Sequence, residues 1–254
     1  MQRGARMLPA FDPDLVGWLM GGLQRAWHRR QDRTERDSGR NDTEDFLVHF
    51  SAEGRTQSVS ADLVVHAAGR APDLEQLDLP AAGVVLKGGR LRLNEFLQSV
   101  SNKLVYAAGD AAAAGPPLTP VSSHDAKVVA GNLLEGNRHR PDYRGAPSVA
   151  FTVSAIAAVG LTEAEAAAQG KRGRVRSEMV PQCFTARLAE PVYGFKTLVE
   201  EGTGRILGAH LVGPGAKEVI NLFGLATRHD LTAEALKSTM FAYPTAASDI
   251  GSML

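Results

Sequence analysis

Apolar and polar positions alternate with a helical period near the start of the chain. From Asp12 to about Arg30, Leu15, Trp18, Leu19, Leu23 and Trp27 recur on one face. Pro13 sits near the beginning of that stretch, where a proline is tolerated. The period then changes. Phe46–Phe50 and Ala61–His66 read as strands, with Glu53-Gly54 turning between them. Leu104–Ala108 is a short apolar run of the length of a buried strand, closed by Gly109 and Asp110. A helix is expected from about Ser122 to Leu134, capped by Thr119 or Ser122. Further on, Thr162-Glu163-Ala164-Glu165 has the spacing of a capping box and opens a short alanine-rich helix. Residues 195–199 and 205–212 flank Glu201-Gly202-Thr203-Gly204, the pattern of a β-hairpin. Ala216–His229 carries Val219, Ile220, Leu222, Phe223 and Ala226 at amphipathic spacing, and Thr232 begins another helix. Strands followed by helices make this last third a small α+β unit.

Composition narrows the class without naming it. The 254 residues are 44% hydrophobic and 22% charged, ordinary for a globular protein. Lys plus Arg and Asp plus Glu both number 28, so the formal net charge is zero. That balance argues against nucleic acid or a membrane surface held by bulk charge. The arginines between Arg29 and Asp45 are interleaved with acids, as in a solvated loop. No apolar run reaches membrane-spanning length and no secretory leader is evident, so the expected compartment is the cytoplasm. The single cysteine, Cys183, excludes an intrachain disulfide and a cysteine metal cluster, and no metal site is expected. His124, His210 and His229 show no ligand spacing and read as surface or packed residues.

The best candidate chemistry lies at Gly109-Asp110. A glycine allows the backbone to approach a ligand, and a carboxylate past a strand end can accept hydrogen bonds from sugar or polyol hydroxyls. The amino end of the following helix would point nearby and offer unpaired N–H groups.

Several motifs in order resemble the flavoprotein disulfide reductases, the family of glutathione reductase, dihydrolipoyl dehydrogenase and mercuric reductase. Residues 62–73, Asp-Leu-Val-Val-His-Ala-Ala-Gly-Arg-Ala-Pro-Asp, resemble the junction between that family's nucleotide domains. Leu104–Asp110 resembles its second flavin motif, and Leu118-Thr119-Pro120-Val121 the helix start near the flavin ring. Residues 151–163, the 195–215 hairpin and Tyr243-Pro244-Thr245 resemble its dimerisation domain, and residues 6–12 a segment of its NAD(P) domain. The resemblance implies a fold that is α/β and α+β: partial doubly wound nucleotide-binding domains followed by an α+β dimerisation domain. The implied units are residues 1–70, 71–145 and 146–254. It also implies FAD held through Gly109, Asp110, Leu118, Thr119 and Val121, NAD(P)H as reductant, and a homodimer through residues 146–254.

Departures from the family pattern bear on mechanism. Neither Gly-x-Gly-x-x-Gly turn is present, and Gly202-Thr203-Gly204 is followed by Leu207 where a third glycine would stand. Cys183 lies outside the family's redox position and reads as a structural thiol. Tyr243 occupies the place of the family's histidine base, Ser248 lies at the spacing of its orienting glutamate, and Asp249 follows. An unperturbed tyrosine titrates near pH 10, which puts thiol exchange through a histidine base in doubt and leaves Tyr243 and Asp249 as the catalytic candidates. The expectation is the C-terminal part of an FAD-dependent oxidoreductase, from a truncated gene model, a degraded gene or a split enzyme. FAD binding by this part alone is expected to be weak or absent. The alternatives are a non-catalytic dimerisation or binding module, or one half of a split flavoenzyme with a separately encoded N-terminal half.

Overall fold

The computed structural model describes residues 6–34, 46–52, 55–67, 69–112, 114–179, 188 and 192–254. Cys183, Ala68 and the Glu53-Gly54 turn lie outside them, as does the side chain of Trp27. The first helix, α1, spans Pro13–Thr34. Asp12 starts it: its Oδ1 accepts from the backbone N–H groups of Asp14 (3.0 Å) and Leu15 (3.4 Å), and Pro13 takes the first helical position.

Two small ribbons follow. Strands β1 (Phe46–Ala52) and β2 (Arg55–Ala61) pair antiparallel with Phe46 opposite Ala61 and Ala52 opposite Arg55. The second strand was expected at residues 61–66 and instead ends at Ala61. With Ala52 opposite Arg55, seven residues of β1 pair with residues 55–61, so the partner of β1 runs out at Ala61. Residues 62–66 belong to no sheet among the described residues, and Leu63, Val64 and Val65 are exposed. Strands β3 (Leu86–Lys87) and β4 (Arg90–Leu91) form a second ribbon.

Helix α2 spans Thr119–Glu135, with Pro120 in its first turn. Leu118 is its cap residue, and no side chain caps it, so neither Thr119 nor Ser122 plays the expected capping role. Pro120 lacks an N–H, which removes one of the donors a cap would have to satisfy.

The rest of the chain builds a five-stranded antiparallel sheet. Its strands are β5 (Ser148–Ala150), β6 (Ile156–Gly160), β7 (Gly173–Glu178), β8 (Gly194–Glu200) and β9 (Ile206–Val212), in the order β5-β6-β9-β8-β7. The β8–β9 hairpin is the one legible in the sequence; β5, β6 and β7 were not marked as strands. Helix α3 (Glu163–Ala168) begins with the expected capping box between Thr162 and Glu165. Helices α4 (Ala216–Arg228), α5 (Ala233–Lys237) and α6 (Ile250–Met253) complete the unit, with Thr232 capping α5 as its spacing implied.

Period-two alternation assigns the two faces of this sheet. On one, Phe195, Ala209 and Leu211 pack with Val219, Ile220 and Phe223 of α4 and Ile250 and Met253 of α6. Thr197 Oγ1 on the same face donates to the Met253 carbonyl at 2.6 Å. On the other, Ile156, Val192 and Val212 pack with Phe11, Leu15, Val16 and Leu19 of the first helix. The amphipathic stripe of α1 is thus buried on a sheet that starts more than a hundred residues later. Gly194 permits the close approach, since a Cβ there would meet the Trp18 ring at 2.5 Å.

A buried ion cluster fixes that contact. Lys196 of β8, 5% exposed, places Nζ 3.0 Å from Asp12 Oδ2, 2.5 Å from Asp14 Oδ2 and 3.8 Å from Glu163 Oε2. Burial alone pulls the ammonium pKa down; the hydrogen bonds that Lys196 donates to Asp14 and Asp12, and the charge of those carboxylates, outweigh it and raise the pKa above its usual value. His210 of β9 lies opposite Lys196 in the ladder and is almost fully buried. One ring nitrogen, Nε2, lies 3.1 Å from the Leu161 carbonyl, while Nδ1 has no partner among the described residues. Burial lowers the His210 pKa below 6.5, against the upward pull of the Leu161 carbonyl.

Removing Lys196 leaves the buried Asp12 carboxylate without its cation, and removing Asp12 takes from Lys196 its one buried carboxylate and from α1 its cap. Asp12→Ala and Lys196→Met should each lower stability by about 3 kcal/mol in urea denaturation, and the double variant by clearly less than the sum. The depressed His210 pKa has a definite sign. The unfolded chain takes up a proton at this position near pH 6.5 and the folded chain only at lower pH, so stability falls as pH drops through that window. The urea midpoint of the wild type should therefore decline from about pH 7.5 to about pH 5.5 more steeply than that of His210→Gln.

Candidate functional site

The segment before Gly109 is shaped by side chains rather than by a sheet. Asn94 Oδ1 accepts from the N–H groups of Phe96 (2.9 Å) and Gln98 (3.1 Å), closing a turn. Ser99 N donates to the Val105 carbonyl (2.8 Å) and Ala107 N to the Leu97 carbonyl (3.1 Å). The run 104–108, expected as a buried strand, pairs with this turn only through the isolated Gln98–Tyr106 bridge, and Leu104 is exposed. A ladder needs a neighbouring strand, and the turn at 94–99 supplies a single bridging residue. Tyr106 is pinned from the side: its hydroxyl donates to Asn137 Oδ1 (2.7 Å) and accepts from Gln98 Nε2 (3.0 Å).

Gly109 then turns the chain with φ +66°, and a Cβ there would lie 2.5 Å from Ser122 Oγ. Only glycine allows the turn to sit against the start of α2. Its N–H donates to Asp125 Oδ2 (3.1 Å), and Asp125 Oδ1 accepts from the Tyr143 hydroxyl (2.8 Å). Asp125 is fully buried. Burial and the bond to Asp125 both push the Tyr143 hydroxyl well above its usual pKa, so it remains a donor. Asp110 follows in a 3₁₀ turn, Gly109–Ala111, with its side chain exposed.

Asp110 lines a cleft of about 630 Å³ together with Arg70, Pro72, Arg90, Leu118, Thr119 and Ser122. Of the five cofactor candidates, Asp110, Leu118 and Thr119 face this space. Gly109 shapes its wall, and Val121 is buried in the first turn of α2. The catalytic candidates lie elsewhere. Tyr243 is 64% exposed, and Asp249 is buried in a 3₁₀ turn, Ala246–Asp249, before α6. His124 accepts the Asp142 backbone N–H at 3.0 Å, a structural role consistent with its sequence reading. Among the described residues no group of His, Cys, Asp and Glu could hold a metal, and no helix is long and apolar enough to cross a membrane.

Two supports of the site escaped the sequence reading. Asp125 and Asn132 hold the Gly109 turn and the 138–139 backbone in place, the latter through bonds from Arg138 N (3.0 Å) and His139 N (2.8 Å). The available signal was positional. Val121, Asp125, Val128 and Asn132 share the buried stripe of α2, and two polar residues in apolar register announce buried hydrogen-bond acceptors.

These features fit a family, and the sequence comparisons name it. The chain belongs to the pyridine nucleotide-disulphide oxidoreductases. Residues 1–126 match the pyridine nucleotide-disulphide oxidoreductase model and residues 146–254 the model of its dimerisation domain. A 19.7 kDa uncharacterized protein of a mercuric resistance operon in Staphylococcus aureus is 46% identical over 180 residues, 70% of this chain and all of that protein. A mercuric reductase of Staphylococcus aureus is 32% identical over 98% of this chain but only 46% of its own length. A dihydrolipoyl dehydrogenase of the same species is 34% identical, with 42% of its length covered. The chain thus spans about half the length of these enzymes. Among solved structures, the HOCl-induced flavoprotein disulfide reductase RclA of Escherichia coli, in its Cu(II) complex, shares the fold with a TM-score of 0.75. That match is 23% identical and covers 98% of this chain and 56% of RclA.

The Asp125–Tyr143 contact can be tested directly. Tyr143→Phe leaves one oxygen of a buried carboxylate without its donor and should cost about 1–3 kcal/mol in thermal or urea denaturation.

Proposed function

We propose that this chain supplies the FAD-contacting and dimerisation part of an NAD(P)H-dependent flavin oxidoreductase. The observation that carries the reading is the cleft beside α2, in which an exposed carboxylate is presented by a turn that only glycine permits. The donor set suits the polyol chain of a flavin. Asp110 accepts from ribityl hydroxyls, Thr119 and Ser122 offer hydroxyls of their own, and Leu118 gives the ring an apolar contact. FAD, when bound, takes up a hydride equivalent and passes two electrons on. The residues here orient it: Asp125 and Tyr143 hold the Gly109 turn, which fixes where the Asp110 carboxylate stands. NAD(P)H enters as the reductant that the family implies, with no group of the cleft assigned to it.

In this reading residues 146–254 pair two copies of the chain. Tyr243, exposed on that unit, is the residue proposed to contact substrate in place of a histidine base, with Asp249, buried and six residues further on, as a second candidate. The implied unit boundaries, 1–70, 71–145 and 146–254, remain part of the proposal. A second reading is a non-catalytic dimerisation or binding module, or one half of a split flavoenzyme. It is favoured by the exposed apolar segment Leu63-Val64-Val65, which pairs with no strand among the described residues.

Purification with excess FAD separates the two. Stoichiometric flavin absorbance, weakened about tenfold or more in affinity by Asp110→Ala, supports the first reading. A colourless protein that gains flavin only with a separate N-terminal polypeptide supports the split enzyme. Light scattering at micromolar concentration should give twice the chain mass, and a monomer counts against the paired assembly.

A further inference from the structure

Residues 142–146 are held from two directions. On one side they meet α2. His124 Nε2 accepts the Asp142 N–H at 3.0 Å, and the Tyr143 hydroxyl reaches the fully buried Asp125 at 2.8 Å. The His124 and Tyr143 rings meet edge to face, with centroids 6.0 Å apart. The Tyr143 ring also backs onto the Asp110 cleft: a Cβ on Gly115, which lines that cleft, would stand 2.7 Å from the ring. On the other side the segment lies against the second half of α4. Arg228 Nη1 donates to the carbonyls of Asp142 (3.1 Å) and Arg144 (3.4 Å) and stands 3.8 Å from Asp142 Oδ2. Arg144 donates to both oxygens of Asp142 and reaches Asp230, just past the end of α4, at 4.0 Å. The two backbones touch where Gly145 meets Gly224, since a Cβ on Gly224 would lie 2.8 Å from the Gly145 carbonyl oxygen.

A buried carboxylate with two donors passes on a displacement of either one, because losing a donor there is costly. Asp125 is such a group: Oδ1 takes the Tyr143 hydroxyl and Oδ2 the Gly109 N–H. Moving Tyr143 therefore moves the acceptor from which the Gly109 turn hangs. We propose that Arg228 is a positioning residue for the Asp110 carboxylate. From α4 it holds residues 142–146, so that Tyr143 sets Asp125 and Asp125 sets the turn that presents Asp110. The cleft then keeps its shape only while α4 and the sheet it covers are packed against this segment, which couples the two parts of the chain. Arg228 is about half exposed, so its loss takes little from global stability and shows instead in local opening of the turn. The inference concerns the turn and not its occupant, so it stands or falls apart from the flavin reading.

Amide hydrogen exchange of the full chain, followed by NMR, reads the turn directly, with the amides of β9 as the reference for global stability. In Arg228→Met the Gly109 amide should exchange about fivefold faster or more relative to β9. Tyr143→Phe should raise it as well. In the Tyr143→Phe background, Arg228→Met should add less than about twofold, because the route through the tyrosine hydroxyl is already cut. Gly224→Ala pushes the segment off α4 without removing a charge. It should raise Gly109 exchange in the same direction, and it carries the test should Arg228→Met fail to fold. Three results would each overturn the proposal. One is a Gly109 amide unchanged in Arg228→Met or, where that variant does not fold, in Gly224→Ala. Another is a rise shared equally by β9, which marks a global effect only. The third is a full fivefold increase that persists in the Tyr143→Phe background.

Discussion

The contact between Lys196 and Asp12 ties the first helix to the sheet of residues 148–212. An ammonium at 5% exposure is costly unless carboxylates surround it, and here three do. Asp12 serves two purposes at once. One oxygen caps the first turn of α1 and the other meets Lys196 on the middle of β8. The start of the first helix is thereby fixed in place and angle on the sheet, and the stripe of Phe11, Leu15, Val16 and Leu19 follows it into the interior. Glu163 adds the first turn of α3 to the same point, so three elements converge on one cation.

That closure sets the context for the cleft. Among the described residues between 62 and 118, regular structure amounts to one short ribbon and a 3₁₀ turn. Order in this region comes from a small apolar cluster of Leu79, Val84 and Leu91 together with polar nodes. Asn94 closes a turn, Asn132 gathers the 138–139 backbone, and Asp125 receives Gly109 and Tyr143. A buried acceptor with two good donors is as specific as a packed side chain, because leaving either donor unpaired is expensive. The carboxylate of Asp110 owes its position to this network, although it touches none of it directly among the described residues.

Local signals were the most legible part of the fold. The capping box at Thr162, the Glu201–Gly204 hairpin, the α4 stripe and the Thr232 cap each depend on residues within a few positions of one another. Strands that depend on distant partners were not. Residues 61–66 and 104–108 carry the apolar character of buried strands, yet the β1–β2 ladder ends at the Phe46–Ala61 pair and the later run meets only a turn. The cleft was half legible: Gly109, Asp110 and Thr119 stood out, whereas Asp125, Tyr143 and Arg90 did not. Nothing in local spacing says that a tyrosine 18 residues from a helical aspartate will be its donor.

By itself the sequence determined the family, the order of its segments and the identity of the carboxylate that faces the cleft, because ordered motifs and local periodicity survive without knowledge of contacts. Tertiary structure alone decided which face of the sheet α1 covers, which carboxylates neutralise Lys196 and which arginines stand beside Asp110. Lys196 and Asp12 are 184 residues apart along the chain. Pairing charges across that distance is a matter of burial and geometry, and one-dimensional patterns carry neither.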